Sequence, residues 1–164
     1  FIAKNDGDVS WMNTKGNYPS GVDLTEEDIQ AFLERVDCYV MGSKTYESAL
    51  NLGWPYGDKP VKVLTSRDLD TEKESVEFLN GDLAQVVKRL KTTFKNIWMV
   101  GGSGTTKSFL REGLVDEIVI SILPIILGDG LLFFDTIKKE IPLELREVKA
   151  YKDGMVEMRY VVKK

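Results

Sequence analysis

Histidine is missing altogether from the 164 residues, and cysteine occurs once, as Cys38. Zinc chemistry on His ligands, a Ser-His-Asp triad and proton transfer by imidazole are therefore excluded, and no metal site is expected. A single cysteine cannot form an internal disulfide, which fits a reducing compartment, most simply the cytoplasm. Within "DCYVM" it reads as a small buried hydrophobe. Long apolar runs are lacking too. The longest, Ile118 to Leu127, is interrupted by Ser121 and Pro124 and falls well short of the ~20 residues that span a bilayer. There is no basic run, and the net charge is −4, so neither nucleic acid nor an anionic membrane is an expected partner. No repeat, low-complexity tract or linker interrupts the chain. What is there is an ordinary balance of 43% hydrophobic and 29% charged residues, at a length suited to one domain over residues 1–164. "FIA" at the start reads like the tail of a buried strand, which predicts a further strand of roughly 8–10 residues ahead of Phe1.

Strand and helix signals alternate. "GDVSWMNTKGNYPSG" is a polar, Gly-rich loop carrying Trp11. Thr25 opens a helix, with Asp28 three residues on in a near-capping-box arrangement, and Ile29, Phe32, Leu33 and Val36 share helical spacing. "CYVM" is a buried strand ending at Gly42, with a helix from about Thr45. "VKVLTS" is a strand, "DLDTEKE" a solvated connection lacking the glycine and terminal Glu of a calcium loop. Asp82 is the N-cap of a helix presenting Leu83, Val86, Val87 and Leu90. "NIWMV" is a strand, and the helix behind it stops at Gly113. "EIVISILP" has the length and apolarity of a strand buried on both faces. "VKAYKDGMVEMRYVV" is a hairpin turning at Asp153-Gly154. The order predicts an α/β fold with a mixed, mostly parallel sheet flanked by helices and a C-terminal antiparallel hairpin.

"IWMVGGSGTTKSFL", residues 97–110, raises the chemical question. Glycines between a strand and a helix either allow tight packing or let a ligand touch the backbone, and a helix N-terminus attracts phosphate. A Walker A loop is not formed, because Thr106 stands where its second glycine belongs. The Rossmann fingerprint fails at Lys107, where its third glycine belongs. "VMGSKTYES", residues 40–48, repeats the pattern of strand, glycine and helix with Lys44 and Thr45. "VLTSRDL", residues 63–69, ends a third strand with Thr65, Ser66 and Arg67. In a parallel sheet, ligands bind at the carboxyl ends of strands. Two helix starts, hydroxyls and two cations there would enclose a dinucleotide, with Arg67 and Lys44 favouring an extra 2′-phosphate.

Together the three segments resemble the dihydrofolate reductase fold, with "VMGSKTYES" similar to that family's "MG(R/K)xTWES". "LREGLVDEIVISILPIILGDGLLFF", residues 110–134, is similar to the reductase half of the bifunctional riboflavin-pathway deaminase–reductase, and "GWPYGDKPVKVLTSR" resembles stand-alone bacterial members of that group. The resemblance covers nearly the whole chain and implies an NADPH site at Gly42, Ser43, Lys44 and Thr45, at Leu64, Thr65, Ser66 and Arg67, and at Val100, Gly101, Gly102, Ser103, Gly104 and Thr105. Ser43 departs from the basic residue common in the family. Ile2 and Ala3 align with residues lining the nicotinamide pocket. Asp8 and Trp11 fall in a loop similar to the one closing over it; a plain solvated loop is the alternative. Asp28 in "DIQAF" resembles the family's pterin-binding acid and is the candidate catalytic group, or else it only caps its helix.

The implied reaction is hydride transfer from NADPH to an electron-poor carbon of a small molecule, with the riboflavin-pathway aminouracil as leading substrate, in a homodimer. Dihydrofolate reduction and a nucleotide-binding module without turnover stand as alternatives.

Overall fold

The computed structural model describes Phe1–Lys164. It divides into two compact units, one made of Phe1–Ile29 with Val115–Lys164 and the other of Gln30–Leu114.

The Gln30–Leu114 unit carries the parallel sheet. Its strands are β1 (Cys38–Gly42), β2 (Val61–Leu64), β3 (Val76–Leu79) and β4 (Ile97–Gly101), in the order β3-β2-β1-β4 with every pairing parallel. β1 is buried on both faces, as a central parallel strand requires. Tyr39 and Met41 pair with Val61 and Val63 on one face, and Tyr46, Trp54, Tyr56 and Phe78 pack onto that cluster. Met41, Val40, Val61 and Val63 have essentially no exposed surface. Burial on that scale stabilises the fold by roughly 1.5–3 kcal/mol for each such side chain. The helices are α2 (Ser43–Asn51), α3 (Leu83–Thr93) and α4 (Ser103–Arg111). Asp82 caps α3 by accepting the Gln85 N–H at 2.9 Å. After α4, Gly113 adopts φ +67°, as a helix C′ residue does.

α1 (Glu26–Arg35) crosses the division between the units. Thr25 is its cap: its Oγ1 accepts the Asp28 N–H at 3.1 Å, while Asp28 Oδ2 accepts the Thr25 N–H and hydroxyl at 3.1 and 2.8 Å. At the other end Lys59 Nζ donates to the carbonyls of Leu33, Glu34 and Val36 at 2.7, 3.3 and 2.5 Å. The apolar stripe predicted for this helix is only partly covered, with Val36 buried but Ile29 and Phe32 exposed; Phe32 meets Trp98 edge-on at 5.1 Å.

The other unit carries a three-stranded antiparallel sheet, β5 (Glu117–Ile122), β6 (Leu143–Ala150) and β7 (Val156–Val162), in the order β5-β7-β6. Its hairpin turns at Asp153 and Gly154, the latter at φ +84°, with Asp153 Oδ1 accepting the Met155 N–H. The register puts Ile118, Ile120, Ile122, Met158, Tyr160, Leu145 and Val148 on one face, with Glu117, Arg159, Glu147 and Lys149 on the other. β5 corrects an expectation. It is not buried on both faces: only Ile118 is buried, while Val119 and Ile122 are exposed. It is an edge strand of an antiparallel sheet, and a continuous apolar run does not by itself distinguish that setting from the middle of a parallel one.

Candidate functional site

The register sets Gly42 beside Leu64, and Leu64 beside Leu79, while Met41 lies beside Gly101. All four parallel strands therefore end on one edge, and three predicted segments, residues 42–45, 64–67 and 100–105, meet there. Gly42 is the N-cap of α2 and Gly102 that of α4; neither helix start has a side-chain cap. Two first turns of backbone N–H groups, with their partial positive charge, thus open at the same edge.

The helix starts are in intimate contact. A Cβ on Gly42 would stand 2.7 Å from Thr105 Oγ1, and one on Gly102 would stand 3.5 Å from Thr45 Oγ1. Each glycine faces the other helix's threonine. Gly101 sits at φ +117°, which an L side chain rarely adopts, and its bond to Gly102 is cis. The Val100 side chain packs against the core cluster.

Beside these helix starts lies a cavity of about 320 Å³, within the range of small-molecule sites. Leu64, Thr65 and Ser66 form one wall, Gly104, Thr105, Ser108 and Phe109 another, and Leu79, Asn80, Gly81, Leu83 and Val86 the third. None of these residues is charged. A neutral, flat group with polar edges suits such a lining, and an anion suits the helix starts beside it. The third wall is not expected from the sequence, in which the polar run before β3 masks that strand. Its signal was present: Val76 and Phe78 alternate with Glu77 ahead of Asn80-Gly81, a turn dipeptide.

Arg67 is not on the cavity wall. Its N–H donates to Thr65 Oγ1 at 2.9 Å, and its Nη2 meets Glu47 Oε1 of α2 at 2.6 Å. That bond holds the Glu47 carboxyl below its ordinary range and the guanidinium above its own. Lys44 and Ser43 lie in the first turn of α2, also outside the cavity lining.

Ile2, Ala3, Asp8, Trp11 and Asp28 all belong to the other unit. The Ile2 N–H donates to Leu131 O, and the Leu131 N–H to Ala3 O, each at 2.8 Å. A Cβ at Gly130 would overlap the Ala3 carbonyl oxygen, so the glycine there is a requirement of backbone approach. Asn5 Nδ2 donates to Asp129 Oδ2 at 2.7 Å across the same pair of segments. Asp8 is bound by Lys4 at 2.7 Å and by the Ser10 N–H and hydroxyl at 2.9 Å. The lysine contact first, then the serine bonds, lower its pKa to about 2. Trp11 lies in a short 3₁₀ turn, Ser10–Asn13, and its indole Nε1 is buried without a hydrogen-bond partner. Asp28 is exposed, and its carboxyl is held below the ordinary range by the Thr25 hydroxyl and N–H. Its observed work is to close the cap of α1.

Comparison with known proteins bears on all of these segments. The family model of the RibD C-terminal domain matches residues 1–156. The uncharacterised protein YwjB of Bacillus subtilis (strain 168) is 31% identical over 165 residues, covering 98% of this chain and 90% of YwjB. A crystal structure from Shewanella sp. PV-4, of a protein assigned to riboflavin biosynthesis, superposes with a TM-score of 0.85 at 29% identity, over 100% of this chain and 93% of that one. The Thermotoga maritima diaminohydroxyphosphoribosylaminopyrimidine deaminase/5-amino-6-(5-phosphoribosylamino)uracil reductase shares the fold, with a TM-score of 0.69 at 15% identity. The match spans 99% of this chain and 53% of the Thermotoga one.

Proposed function

The chain belongs to the RibD C-terminal domain family, and from that premise we propose that it is an NADPH-dependent reductase acting on a ribosylamino-pyrimidine of the riboflavin-pathway type. The observation that carries the reading is the edge where two uncapped, glycine-started helices face each other beside a neutral cavity. The residues present fit the coenzyme. A Cβ on Gly104 would meet no atom of the chain, so the first turn of α4 is open, and both helix starts keep their N–H groups free of side-chain caps. Bound there, the reduced nicotinamide supplies the hydride.

The chain's own residues bind and orient. N–H groups of the first turns of α2 and α4 would take the pyrophosphate. Thr65 and Ser66 offer hydroxyls, Asn80 an amide for a base edge, and Lys44 and Arg67 positive charge for the 2′-phosphate. Asp8 and Asp28 both spend their carboxylates on local hydrogen bonds, so we assign the proton that follows the hydride to water.

The test is oxidation of NADPH, followed by absorbance, with 5-amino-6-(5-phosphoribosylamino)uracil, dihydrofolate and a simple imine. Turnover of the aminouracil alone supports the reading, and turnover of dihydrofolate alone would redirect it. Binding of NADPH without oxidation by any of the three favours the second reading, a nucleotide-binding module. That reading draws on the two carboxylates, both committed to local hydrogen bonds.

We also infer a homodimer in a reducing, cytoplasmic setting. The apolar face of the β5-β7-β6 sheet supports it. Ile122, Leu145 and Val148 are exposed there, and no charged residue shares the face. In projection it covers on the order of 350 Å², within the range of the largest apolar patches that proteins expose, which are often functional. An uncharged face complements its own copy across a two-fold axis. Sedimentation equilibrium should give a dimer for the wild type and a monomer for Leu145→Glu/Val148→Glu; a monomeric wild type would end the inference.

A further inference from the structure

We propose that Glu47 sets the cofactor selectivity of this chain by competing with a 2′-phosphate for Arg67. The inference rests on the reading of the parallel-sheet edge as an NADPH site. Its geometry is local. The Arg67 main chain is fixed at the rim of the cavity, where its N–H meets Thr65 Oγ1 at 2.9 Å, while Thr65 and Ser66 themselves form the wall. The guanidinium is turned from that wall toward α2, where Nη2 meets Glu47 Oε1 at 2.6 Å. A phosphate arriving beside Ser66 therefore meets an arginine whose charge is already balanced, and a carboxylate of its own sign one side chain away.

Both partners of the pair are substantially exposed, with side-chain exposures of 51% for Arg67 and 44% for Glu47. Exposed pairs of this kind exchange partners at little cost. The pair therefore leaves the site able to bind a phosphorylated dinucleotide and lowers its preference over the unphosphorylated one. An arginine without a carboxylate beside it would discriminate more strongly, because its fork would meet the phosphate without first losing a partner. The effect belongs to the 2′-phosphate alone: the pyrophosphate is met by backbone N–H groups of α2 and α4, whose hydrogen bonds do not pass through Glu47.

The experiment is a set of fluorescence and calorimetric titrations with NADPH, NADH, 2′,5′-ADP and 5′-AMP. The proteins are the wild type, Glu47→Gln, Arg67→Met and the double variant. Glu47→Gln should raise the preference for NADPH over NADH roughly two- to fivefold, the scale of an exposed ion pair. It should raise the preference for 2′,5′-ADP over 5′-AMP by the same factor and leave NADH affinity unchanged. In the Arg67→Met background the gain should vanish. An unchanged or lowered preference in Glu47→Gln, or an equal gain without Arg67, would overturn the proposal while leaving the NADPH site standing. A wild type that binds neither NADPH nor 2′,5′-ADP would remove the site and this inference with it.

Discussion

Gly104→Ala separates the two reasons a helix could keep a glycine. Gly104 is the second residue of α4 (Ser103–Arg111) and is exposed. A Cβ built on it meets no atom within 4 Å, and its φ is not positive. Neither packing nor backbone geometry calls for glycine. Alanine in a helix is favoured over glycine by ~0.5–1 kcal/mol, chiefly because the unfolded chain loses freedom. The variant should therefore unfold at higher urea, with a melting temperature up by about 2–4 °C at the upper end of that gain for a chain of this size. Gly104 also lines the cavity. A methyl there stands where a ligand touching the helix start must come, and overpacking of a close contact costs about 1–3 kcal/mol. Affinity for NADPH should fall about tenfold, corresponding to 1.4 kcal/mol, as stability rises. Urea unfolding without ligand and a fluorescence titration with NADPH measure the two quantities independently. A variant that is more stable and binds NADPH as tightly as the wild type would refute the claim that this backbone is bare for a ligand. A less stable one would refute the account of α4 itself.

Gly42→Ala should behave oppositely. Its φ of −83° and ψ of 163° suit alanine, but the methyl would meet Thr105 Oγ1 at 2.7 Å, so the variant should lose about 1–3 kcal/mol of stability. In a Thr105→Ala background the loss should shrink to below about 0.5 kcal/mol, and an unchanged loss would deny the contact. Lys59→Met leaves the carbonyls of Leu33, Glu34 and Val36 without their charged donor, and should cost about 1–2 kcal/mol in a urea titration. Cys38 is fully buried, and burial pushes its thiol up from 9.0 to about 11. An aromatic disulfide reagent at pH 8 should not react with it until the protein unfolds. Because the folded value is the higher one, its contribution to stability is fully present below pH 9 and is lost as pH rises toward 11. The fall in stability across that interval should be shallower in Cys38→Ala.

The parts of the fold that were legible in the sequence are those written in local chemistry. Thr25 with Asp28, Asp82 before α3, Gly113 after α4 and the Asp153-Gly154 turn each act within a few residues, and each stands where its chemistry points. The three strand ends were legible because a strand running into glycine or hydroxyl residues is also a local pattern. β3 was obscured by the polar run before it, although V-E-F-L alternates as a strand does, and with it went the third wall of the cavity. The exposure of β5 could not be read, because whether an apolar strand is central or at an edge depends on partners far away in sequence. The Glu47–Arg67 pair was equally hidden. Twenty residues separate its members, and only the parallel pairing of β1 with β2 sets the start of α2 beside the end of β2.

The glycines at the edge do not all argue for a ligand. Gly101 is accounted for by its φ of +117°, and Gly42 by the Thr105 hydroxyl, which leaves no room for a methyl. Both would be needed in a protein that bound nothing. Gly102 has an ordinary clearance of 3.5 Å to Thr45 Oγ1, and Gly104 has open space. Neither is explained by packing or by φ, and Gly104 additionally carries a helix-propensity cost. That cost stands unopposed by anything inside the chain, and it falls on the cavity wall rather than at a random point of the surface. Gly104 lines the hollow with open space where a side chain would stand, which leaves room there for a bound group. The case for a coenzyme in this edge therefore rests more on the last glycine of the motif than on the first.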